Sequence, residues 1–424
     1  MTPLRVALAG CGAVGSAFLD IVDERNRQGL DRPIDVVRVL VRDPARDRGV
    51  PLPGDRFTDD VDAFLDTPAE VVVEAVGGIE PMLTVARRSL DRGRDWVTAN
   101  KALVAEHGPD LALLARRSGA GFGTEATVAA GVPVVSTIRH ALADTGIGAI
   151  RGILNGTTNY MISALEGGQP WEAALHDARA KGFAEADPSR DLEGLDAADK
   201  IRVLAWLAFG IDPAALIVDR RPVPVAPRSL LDDAARRGCA LRQVAEVRRV
   251  AGRLQAVVAP TFVPAGSALH GTRFEHNLVE IDTRQAGLLR FSGPGAGGRA
   301  TASALLADLL RRHPAPEDRG LEAPRSTRGA WRWAVGFDGG RGVERSLERA
   351  ARTREVEIAA IEGDGDRVRA DLGATPLETV DEVVRDVAAG RGAVARLEEG
   401  CALPRTAVRP QSAGSPFTPS ETLP

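Results

Sequence analysis

A strand, a glycine turn and a helix follow one another at the start of the chain, and this order constrains the fold more than any other feature. Residues 4–9 are a short apolar run, GCGAVG follows at residues 10–15, and a helical pattern comes next. The first glycine of such a turn permits the sharp bend, the second lets backbone approach a pyrophosphate, and the third lets the helix pack against the strand. The phosphates would lie at the positive end of the helix. A chance glycine turn is the alternative, because GxGxxG alone is a weak signal. The residues predicted to bind a dinucleotide are Gly10, Gly12, Ala13, Val14 and Gly15.

Strands and helices continue to alternate through the first hundred residues. Residues 36–41 (VVRVLV) and 71–76 (VVVEAV) read as buried strands, and a helical stretch separates the second from a further strand in DWVTA. This alternation predicts an α/β fold with a doubly wound parallel sheet of the Rossmann type.

The end of the second strand bears on the choice of cofactor. An acid at this place holds the ribose 2'-hydroxyl of NAD, whereas an arginine receives the 2'-phosphate of NADP. The chain has Arg42 followed by Asp43, so both cofactors stay open. We expect NADP, bound through Arg42; an arginine that only solvates a loop is the alternative.

Lysine is almost absent from the chain. Lys101, Lys181 and Lys200 are the only lysines, although lysines and arginines together number 54. A compositional bias explains arginine on the surface, but arginine cannot lose its proton, whereas a lysine can act as an acid or a base. Lys101 follows a strand whose carboxyl end should face the cofactor crevice, and it is therefore a candidate for proton transfer. An ordinary exposed lysine is the alternative.

The stretch GFAEADPSRDLEGLDAADK, residues 182–200, holds six carboxylates around Lys200. Asp196 and Lys200 are four residues apart in a helical segment, and a surface ion pair contributing about 0.3–0.5 kcal/mol is the ordinary interpretation. A catalytic interpretation also fits. Hydride transfer to an aldehyde leaves an alkoxide that a lysine ammonium can protonate, and the acids would bind a substrate that carries its own ammonium group. The stretch therefore favours a small amino-acid substrate.

Residues 121–135 (GFGTEATVAAGVPVV) place Glu125 in a turn of small residues. Converging backbone carbonyls and one carboxylate are suitable ligands for a hard cation. The start of a capped helix is the alternative.

Several classes of protein are disfavoured by the composition. A net charge of -4 with both signs interspersed argues against a nucleic-acid partner, and no apolar run reaches the length of a membrane span. The amino terminus lacks the pattern of a signal peptide, and its apolar stretch reads as a strand. Cys11, Cys239 and Cys401 are too few and too scattered to predict a disulfide or a zinc site. These features together favour a cytoplasmic enzyme that acts on a small molecule.

Seven motifs in this order resemble the homoserine dehydrogenase family, which interconverts aspartate 4-semialdehyde and homoserine on the route to threonine and methionine. The resemblance covers residues 4–313. The motifs are GCGAVG, VGGIEP, TANKALVA, EATVAAGVPVV, GILNGTTNYM, GFAEADPSRDLEGLDAADK and FSGPGAGGRATASALLADL.

The resemblance implies roles for individual residues. Lys200 becomes the expected proton donor or acceptor, and Lys101 is expected beside cofactor and substrate. Glu185 and Asp196 are expected to bind the polar groups of the substrate. Gly77 and Gly297 are expected at the cofactor. A monovalent cation, sodium, is expected at Glu125, Val128, Ala130 and Val132, mostly through backbone oxygens.

The resemblance also implies a domain organisation. Residues 1–135 form the dinucleotide-binding domain, which residues 299–315 complete. Residues 136–298 form an α+β substrate, catalytic and dimerisation domain, so a homodimer or larger homo-oligomer is expected. The segment 211–260 matches the family poorly, so the resemblance does not predict the structure at the outer edge of this domain.

The carboxyl-terminal region carries a less specific pattern. Residues 329–400 read as strand, helix, strand, strand and helix, which predicts a small α+β appendage. It is either a regulatory module resembling an ACT domain or a packing element, since the pattern alone names no ligand. Residues 411–424 have the composition of a disordered tail.

Two other functions stay open at this point. A Rossmann-type dehydrogenase acting on another amino-acid aldehyde or alcohol is the first, because fold and cofactor do not determine the substrate. A non-catalytic NADP-binding sensor is the second; it would bind cofactor without turnover.

Overall fold

The computed structural model describes residues 2–184, 187–225, 227–311, 314–316, 324–339, 341–363, 366–388 and 392–403. The chain divides into two compact units, Met1–Gly329 and Ala330–Pro424.

The first unit begins with a six-stranded sheet in which every neighbouring pair is parallel, in the order β3-β2-β1-β4-β5-β6. This order confirms the predicted doubly wound, Rossmann-type sheet. Its elements are β1 (Leu4–Ala9), α1 (Ala13–Gln28), β2 (Ile34–Leu40), β3 (Phe57–Thr58), α2 (Val61–Asp66), β4 (Val71–Glu74), α3 (Met82–Asp91), β5 (Asp95–Thr98), α4 (Lys101–Ser118) and β6 (Phe122–Gly123).

A second sheet of the first unit has the order β12-β11-β7-β9-β10 with antiparallel neighbours, and β8 pairs in parallel with β10. It confirms the expected α+β second region. Most of the described residues within 211–260, the segment that matched the family pattern poorly, lie in helices and strands. The elements are α5 (Val134–Ser136), β7 (Ile147–Ile153), α6 (Gly156–Glu166), α7 (Trp171–Ala180), α8 (Ser189–Leu192), α9 (Leu195–Phe209), β8 (Val218–Arg220), α10 (Arg228–Arg236), β9 (Cys239–Val250), β10 (Arg253–Pro264), α11 (Ala268–Gly271), β11 (His276–Thr283), β12 (Gly287–Pro294) and α12 (Gly298–Arg311).

Helices cover both faces of the parallel sheet. Successive side chains of a strand point to opposite faces, and β1 follows this rule. Its residues Val6 and Leu8 pack in one apolar cluster with α1 and α12, whereas Ala7 and Ala9 pack in another cluster with α3 and α4. Helix α12 thus returns from the second sheet to the first.

The second unit consists of β13 (Ala330–Asp338), α13 (Arg341–Thr353), β14 (Ile358–Gly363), β15 (Arg367–Pro376), α14 (Leu377–Ala388) and β16 (Ala393–Leu397). Within this unit the antiparallel order is β16-β13-β15-β14, the β-α-β-β-α-β arrangement of ferredoxin-like folds. The final strand, β16, was not predicted. Its five residues form a strand because they pair with distant β13, which a local pattern does not reveal. The predicted tail, residues 411–424, lies outside the described residues.

Two further sequence expectations concern cysteine and membranes. The expectation of unpaired cysteines is wrong at Cys239, which is disulfide-bonded, while Cys11 is a free thiol. Cysteine count and spacing do not show which Cα atoms come within the roughly 7 Å that a disulfide needs. Within the described ranges, no helix is both long and apolar enough to cross a bilayer.

Candidate active site

A cleft of 1140 Å³ lies in the first unit, beyond the carboxyl ends of β4 and β5. Open α/β sheets bind ligands in this position. The cleft is lined by the amino-terminal turn of α1, the segments that follow β4, β5 and β12, the start of α6, and one end of α9. Residues from these segments include Val14, Gly77, Gly78, Lys101, Asn155, Asp196, Lys200 and Gly297.

The glycine turn has the geometry that a dinucleotide phosphate requires. Gly10 has φ +94°, a left-handed conformation that favours glycine. A Cβ atom on Gly12 would meet nothing within 4 Å, so this backbone borders open space. A Cβ atom on Gly15 would lie 2.1 Å from the carbonyl oxygen of Gly10, so only glycine allows α1 to approach β1. The turn and the start of α1 at Ala13 therefore fit a bound pyrophosphate.

These contacts predict that one alanine substitution weakens cofactor binding and that another lowers stability. Gly12→Ala should fold like the wild type but raise the Kd for NADPH about tenfold or more, because the new methyl group enters the phosphate space. Gly15→Ala should lower the free energy of unfolding by about 1–3 kcal/mol, because the methyl group collides with backbone. Urea denaturation and NADPH fluorescence measure the two quantities. A Gly12→Ala protein with wild-type Kd would exclude this turn as the phosphate site.

The amino-terminal end of α12 meets the same turn. A Cβ atom on Gly298 would lie 2.5 Å from the carbonyl oxygen of Ala13, so the first turns of α1 and α12 are in close contact. Gly297 precedes this contact with φ +118° and lines the cleft. Two positive helix ends therefore approach the predicted cofactor site.

Asp196 joins two lysines from distant parts of the chain. Its Oδ2 atom lies 2.7 Å from Nζ of Lys200, one turn along α9, and its Oδ1 atom lies 2.8 Å from Nζ of Lys101, the first residue of α4. Lys200 also donates a hydrogen bond of 2.7 Å to the carbonyl oxygen of Leu154. Three residues predicted at the site are thus in direct contact.

Burial strengthens the interactions between the charges of this cluster. Lys200 is 8% exposed and Asp196 is 5% exposed, so the pair is not the exposed ion pair of the ordinary interpretation. Burial alone would raise the pKa of Asp196, but the ammonium groups of Lys200 and Lys101 outweigh it and hold the pKa below its usual range. The same carboxylate raises the pKa of Lys101. Asp196 is therefore ionised and fixes both amines beside the cleft.

Asn155 and Asp191 also belong to this cluster, although sequence reasoning did not assign them. Asn155 Oδ1 accepts the Thr158 amide at 2.7 Å and so caps α6. Its Nδ2 donates to Asp191 at 2.7 Å and to Asp196 at 2.8 Å. Burial, followed by the charge of Asp196, raises the pKa of Asp191. The turn GILNGTTNYM and the acid count of residues 182–200 were the available signals, but neither selects these two side chains.

The other residues predicted at the site have different positions. Gly77 lines the cleft with Lys101 and Lys200. Arg42 follows β2 and is exposed, but it does not line the cleft. Glu185 lies outside the described residues.

Lys181, the third lysine, takes part in a hydrogen-bond network that supports the fold. Its Nζ donates to the Tyr160 hydroxyl at 2.7 Å and to Asp177 at 3.0 Å, and Tyr160 itself donates to Asp177. The Tyr160 ring is buried against Phe183, with ring centroids 5.3 Å apart. This network anchors the end of α7 next to the acidic stretch.

Glu125 is buried and caps the short helix α5. Its carboxylate oxygens accept the backbone amides of Val135 at 3.0 Å and Ser136 at 2.7 Å. Ala129 and Ala130 have positive φ angles of 56° and 48° in the turn that also holds Val128 and Val132. The described residues hold no cluster of three or more His, Cys, Asp or Glu side chains suited to a metal. A cation in this turn would therefore depend mainly on backbone oxygens.

Two family models match the chain. One, described as homoserine dehydrogenase, matches residues 133–310, and the other, described as homoserine dehydrogenase, NAD binding domain, matches residues 10–125. The first match continues through the segment 211–260.

Individual proteins give the same result. The homoserine dehydrogenase of Bacillus subtilis (strain 168) is 34% identical over 320 residues, which are 73% of this chain and 73% of that protein. That of Mycobacterium tuberculosis (strain ATCC 25618 / H37Rv) is 36% identical over 319 residues, which are 73% of this chain and 72% of that protein.

Solved structures extend the similarity beyond the first unit. The crystal structure of a homoserine dehydrogenase from Thiobacillus denitrificans matches with a TM-score of 0.84 at 27% identity, over 94% of this chain and 99% of that chain. A hyperthermophilic archaeal homoserine dehydrogenase in complex with NADPH shares the fold, with a TM-score of 0.62 at 23% identity over 75% of this chain and 100% of that chain.

Proposed function

The chain belongs to the homoserine dehydrogenase family, NAD(P)-dependent oxidoreductases that interconvert L-homoserine and L-aspartate 4-semialdehyde, and we propose that Lys200 moves the proton in this reaction. One observation carries the proposal. Asp196 bridges Lys200 and Lys101 at the wall of the cleft that the glycine turn of residues 10–15 also borders.

Among the residues that the structure describes, the hydrogen-bond partners of Lys200 leave one of its donors free. An ammonium group has three N–H donors, and two are used by Leu154 and Asp196. We propose that the third donates to the substrate oxygen. In the direction of reduction the ammonium donates a proton to the aldehyde oxygen as it becomes the alcohol, and in the direction of oxidation the amine accepts that proton. The bound nicotinamide supplies or accepts the hydride.

Acidic residues of the cleft are suited to bind the ammonium group of the substrate. An amino-acid substrate carries an ammonium group, and Asp191 lines the cleft close to Lys200. We propose that Asp191, together with the predicted Glu185, binds this ammonium group, while Lys101 binds the substrate's carboxylate or oxygen. Because the ion pair would favour the charged carboxylate, substrate binding should lower the pKa of Asp191 from its raised value.

We propose NADP as the preferred cofactor. Arg42 is exposed directly beyond β2, where an arginine receives a 2'-phosphate. The fold holds NADPH in the archaeal protein.

Five finer features belong to the same proposal. We expect a sodium ion at the turn of Glu125, Val128, Ala130 and Val132, where the carboxylate already binds two amides. We also propose a homodimer or larger homo-oligomer, a cytoplasmic location, and a role in threonine and methionine biosynthesis, with membership of the family as the support. The ferredoxin-like arrangement of residues 330–397 supports a regulatory module of the ACT type.

Initial rates of homoserine oxidation, measured with NADP and with NAD and each with and without threonine, test the proposal. We expect turnover with homoserine and a higher kcat/KM with NADP. Inhibition by threonine would support the regulatory module. Absence of turnover with both cofactors, in a protein that binds NADPH, would instead favour a cofactor sensor.

A further inference from the structure

Glu74, the last residue of β4, is a buried carboxylate that does not line the cleft. It is 0% exposed, and its partners are two neutral groups: Thr98 Oγ1 donates to Oε2 at 2.6 Å, and Asn100 Nδ2 donates to Oε1 at 2.7 Å. Charged side chains are seldom fully buried without a charged partner. A role in packing alone does not explain this residue.

Asn100 uses all its side-chain hydrogen-bonding groups. Its second amide proton goes to the carbonyl oxygen of Gly78 at 2.5 Å, and its Oδ1 accepts the Leu103 amide at 3.2 Å. Asn100 therefore caps α4 and, with the same side chain, holds the loop that follows β4. Lys101, the next residue, binds Asp196, and Gly78 lines the cleft.

We infer that Glu74 is a positioning residue, which acts through Asn100 to fix the start of α4, and with it Lys101, against the Gly77–Gly78 loop at the cofactor site. The inference rests on the proposed function for the identity of the reaction. The contacts themselves do not depend on it.

The contacts of Glu74 explain the orientation of Asn100. An asparagine amide has one accepting and one donating end, and Oε1 of Glu74 accepts from the donating end. This contact turns Oδ1 of Asn100 toward the Leu103 amide. Thr98 completes the arrangement, because its Oγ1 accepts the Asn100 backbone amide at 2.8 Å while donating to Glu74.

Burial makes this arrangement unfavourable for stability. It raises the pKa of Glu74 to about 8, although the hydrogen bonds from Thr98 and Asn100 favour the ionised form. A buried group that destabilises the folded protein and directs two cleft segments is typical of a functional position.

Glu74→Ala and Glu74→Gln test the inference, with Val72→Ala as the matched control. Val72 is two residues earlier on β4, is equally buried, and belongs to the apolar cluster that also contains residues of α4. Its apolar side chain cannot form a hydrogen bond with Asn100. Three quantities are measured: the Kd for NADPH by fluorescence, kcat and KM for homoserine, and the melting temperature.

Glu74→Ala should raise the Kd for NADPH and lower kcat, each about tenfold or more, because Asn100 loses the acceptor that orients it. Glu74→Gln should restore both to within about threefold of wild type, since its oxygen can accept from Asn100 and its NH₂ can donate to Thr98. Val72→Ala should lower the melting temperature without changing Kd or kcat by more than about twofold.

The inference is overturned if Glu74→Ala keeps the wild-type Kd and kcat, if Val72→Ala shows the same losses as Glu74→Ala, or if Glu74→Gln is as impaired as Glu74→Ala. Failure of the proposed function is a separate result. The wild type would then bind NADPH without oxidising homoserine, and the Kd values would still test Glu74.

Discussion

Replacing Lys200 by arginine is expected to lower kcat for homoserine oxidation by about 100- to 10,000-fold, the range that general acid–base catalysis contributes. Arginine keeps the positive charge that Asp196 requires but does not release its proton near neutral pH. Because Lys200 is only 8% exposed, the larger guanidinium should also lower the free energy of unfolding by about 1–3 kcal/mol. Steady-state kinetics and urea denaturation measure the two effects.

The chain offers a matched control for this substitution. Lys181→Arg makes the same chemical change at a lysine whose side chain is 51% exposed and whose partners are Tyr160 and Asp177. We expect its kcat to stay within about twofold of wild type. NADPH binding by Lys200→Arg should remain intact, which separates loss of proton transfer from loss of the cofactor site. Near-normal turnover by Lys200→Arg would remove Lys200 from the mechanism.

Removing the Asp196 carboxylate should have the largest effect on stability. In Asp196→Ala the buried Lys200 ammonium loses its counter-charge, and breaking such a pair costs about 3–5 kcal/mol of unfolding free energy. Turnover should also fall about 100-fold or more, because neither lysine is held at the cleft. Asp62→Ala is the contrasting variant. Its partner Arg88 lies 2.6 Å away, but the two side chains are 73% and 41% exposed, so its loss should cost at most about 1 kcal/mol.

The pKa of Asp196 determines how the stability difference between wild type and Asp196→Ala depends on pH. Its folded-state pKa is held below the usual value, so the stabilisation is fully present above the unfolded pKa of about 3.9 and is lost as the pH falls through the folded pKa. The stability gap between wild type and Asp196→Ala should therefore be constant from pH 5 to pH 8 and shrink in stronger acid, in the region of about pH 3 and below. A gap that already disappears at pH 6 would show that another group controls it.

Local patterns predicted those parts of the molecule in which neighbouring residues determine the structure. The turn at Gly10, Gly12 and Gly15 follows from steric requirements within six residues, and the structure has the expected positive φ, open space and close contact at these three positions. The helical spacing of Asp196 and Lys200 also places their side chains together.

Local sequence patterns could not predict contacts between segments that are far apart in the chain. The spacing of residues does not show that Lys101 meets Asp196, that Asn155 meets Asp191, or that β16 pairs with β13. Glu74 illustrates the difficulty most clearly. In the run VVVEAV it reads as one polar residue at the end of a buried strand, and only the contact with Asn100 reveals what it orients.

The proton transfer assigned to Lys200 is the central claim, and a structure of the protein with NADP and homoserine tests it most directly. We expect Nζ of Lys200 about 2.6–3.2 Å from the hydroxyl oxygen of homoserine, still bonded to Asp196 and Leu154. A homoserine hydroxyl that contacts a different proton-transfer group, with Lys200 beyond hydrogen-bond distance and no bridging water, would contradict the account.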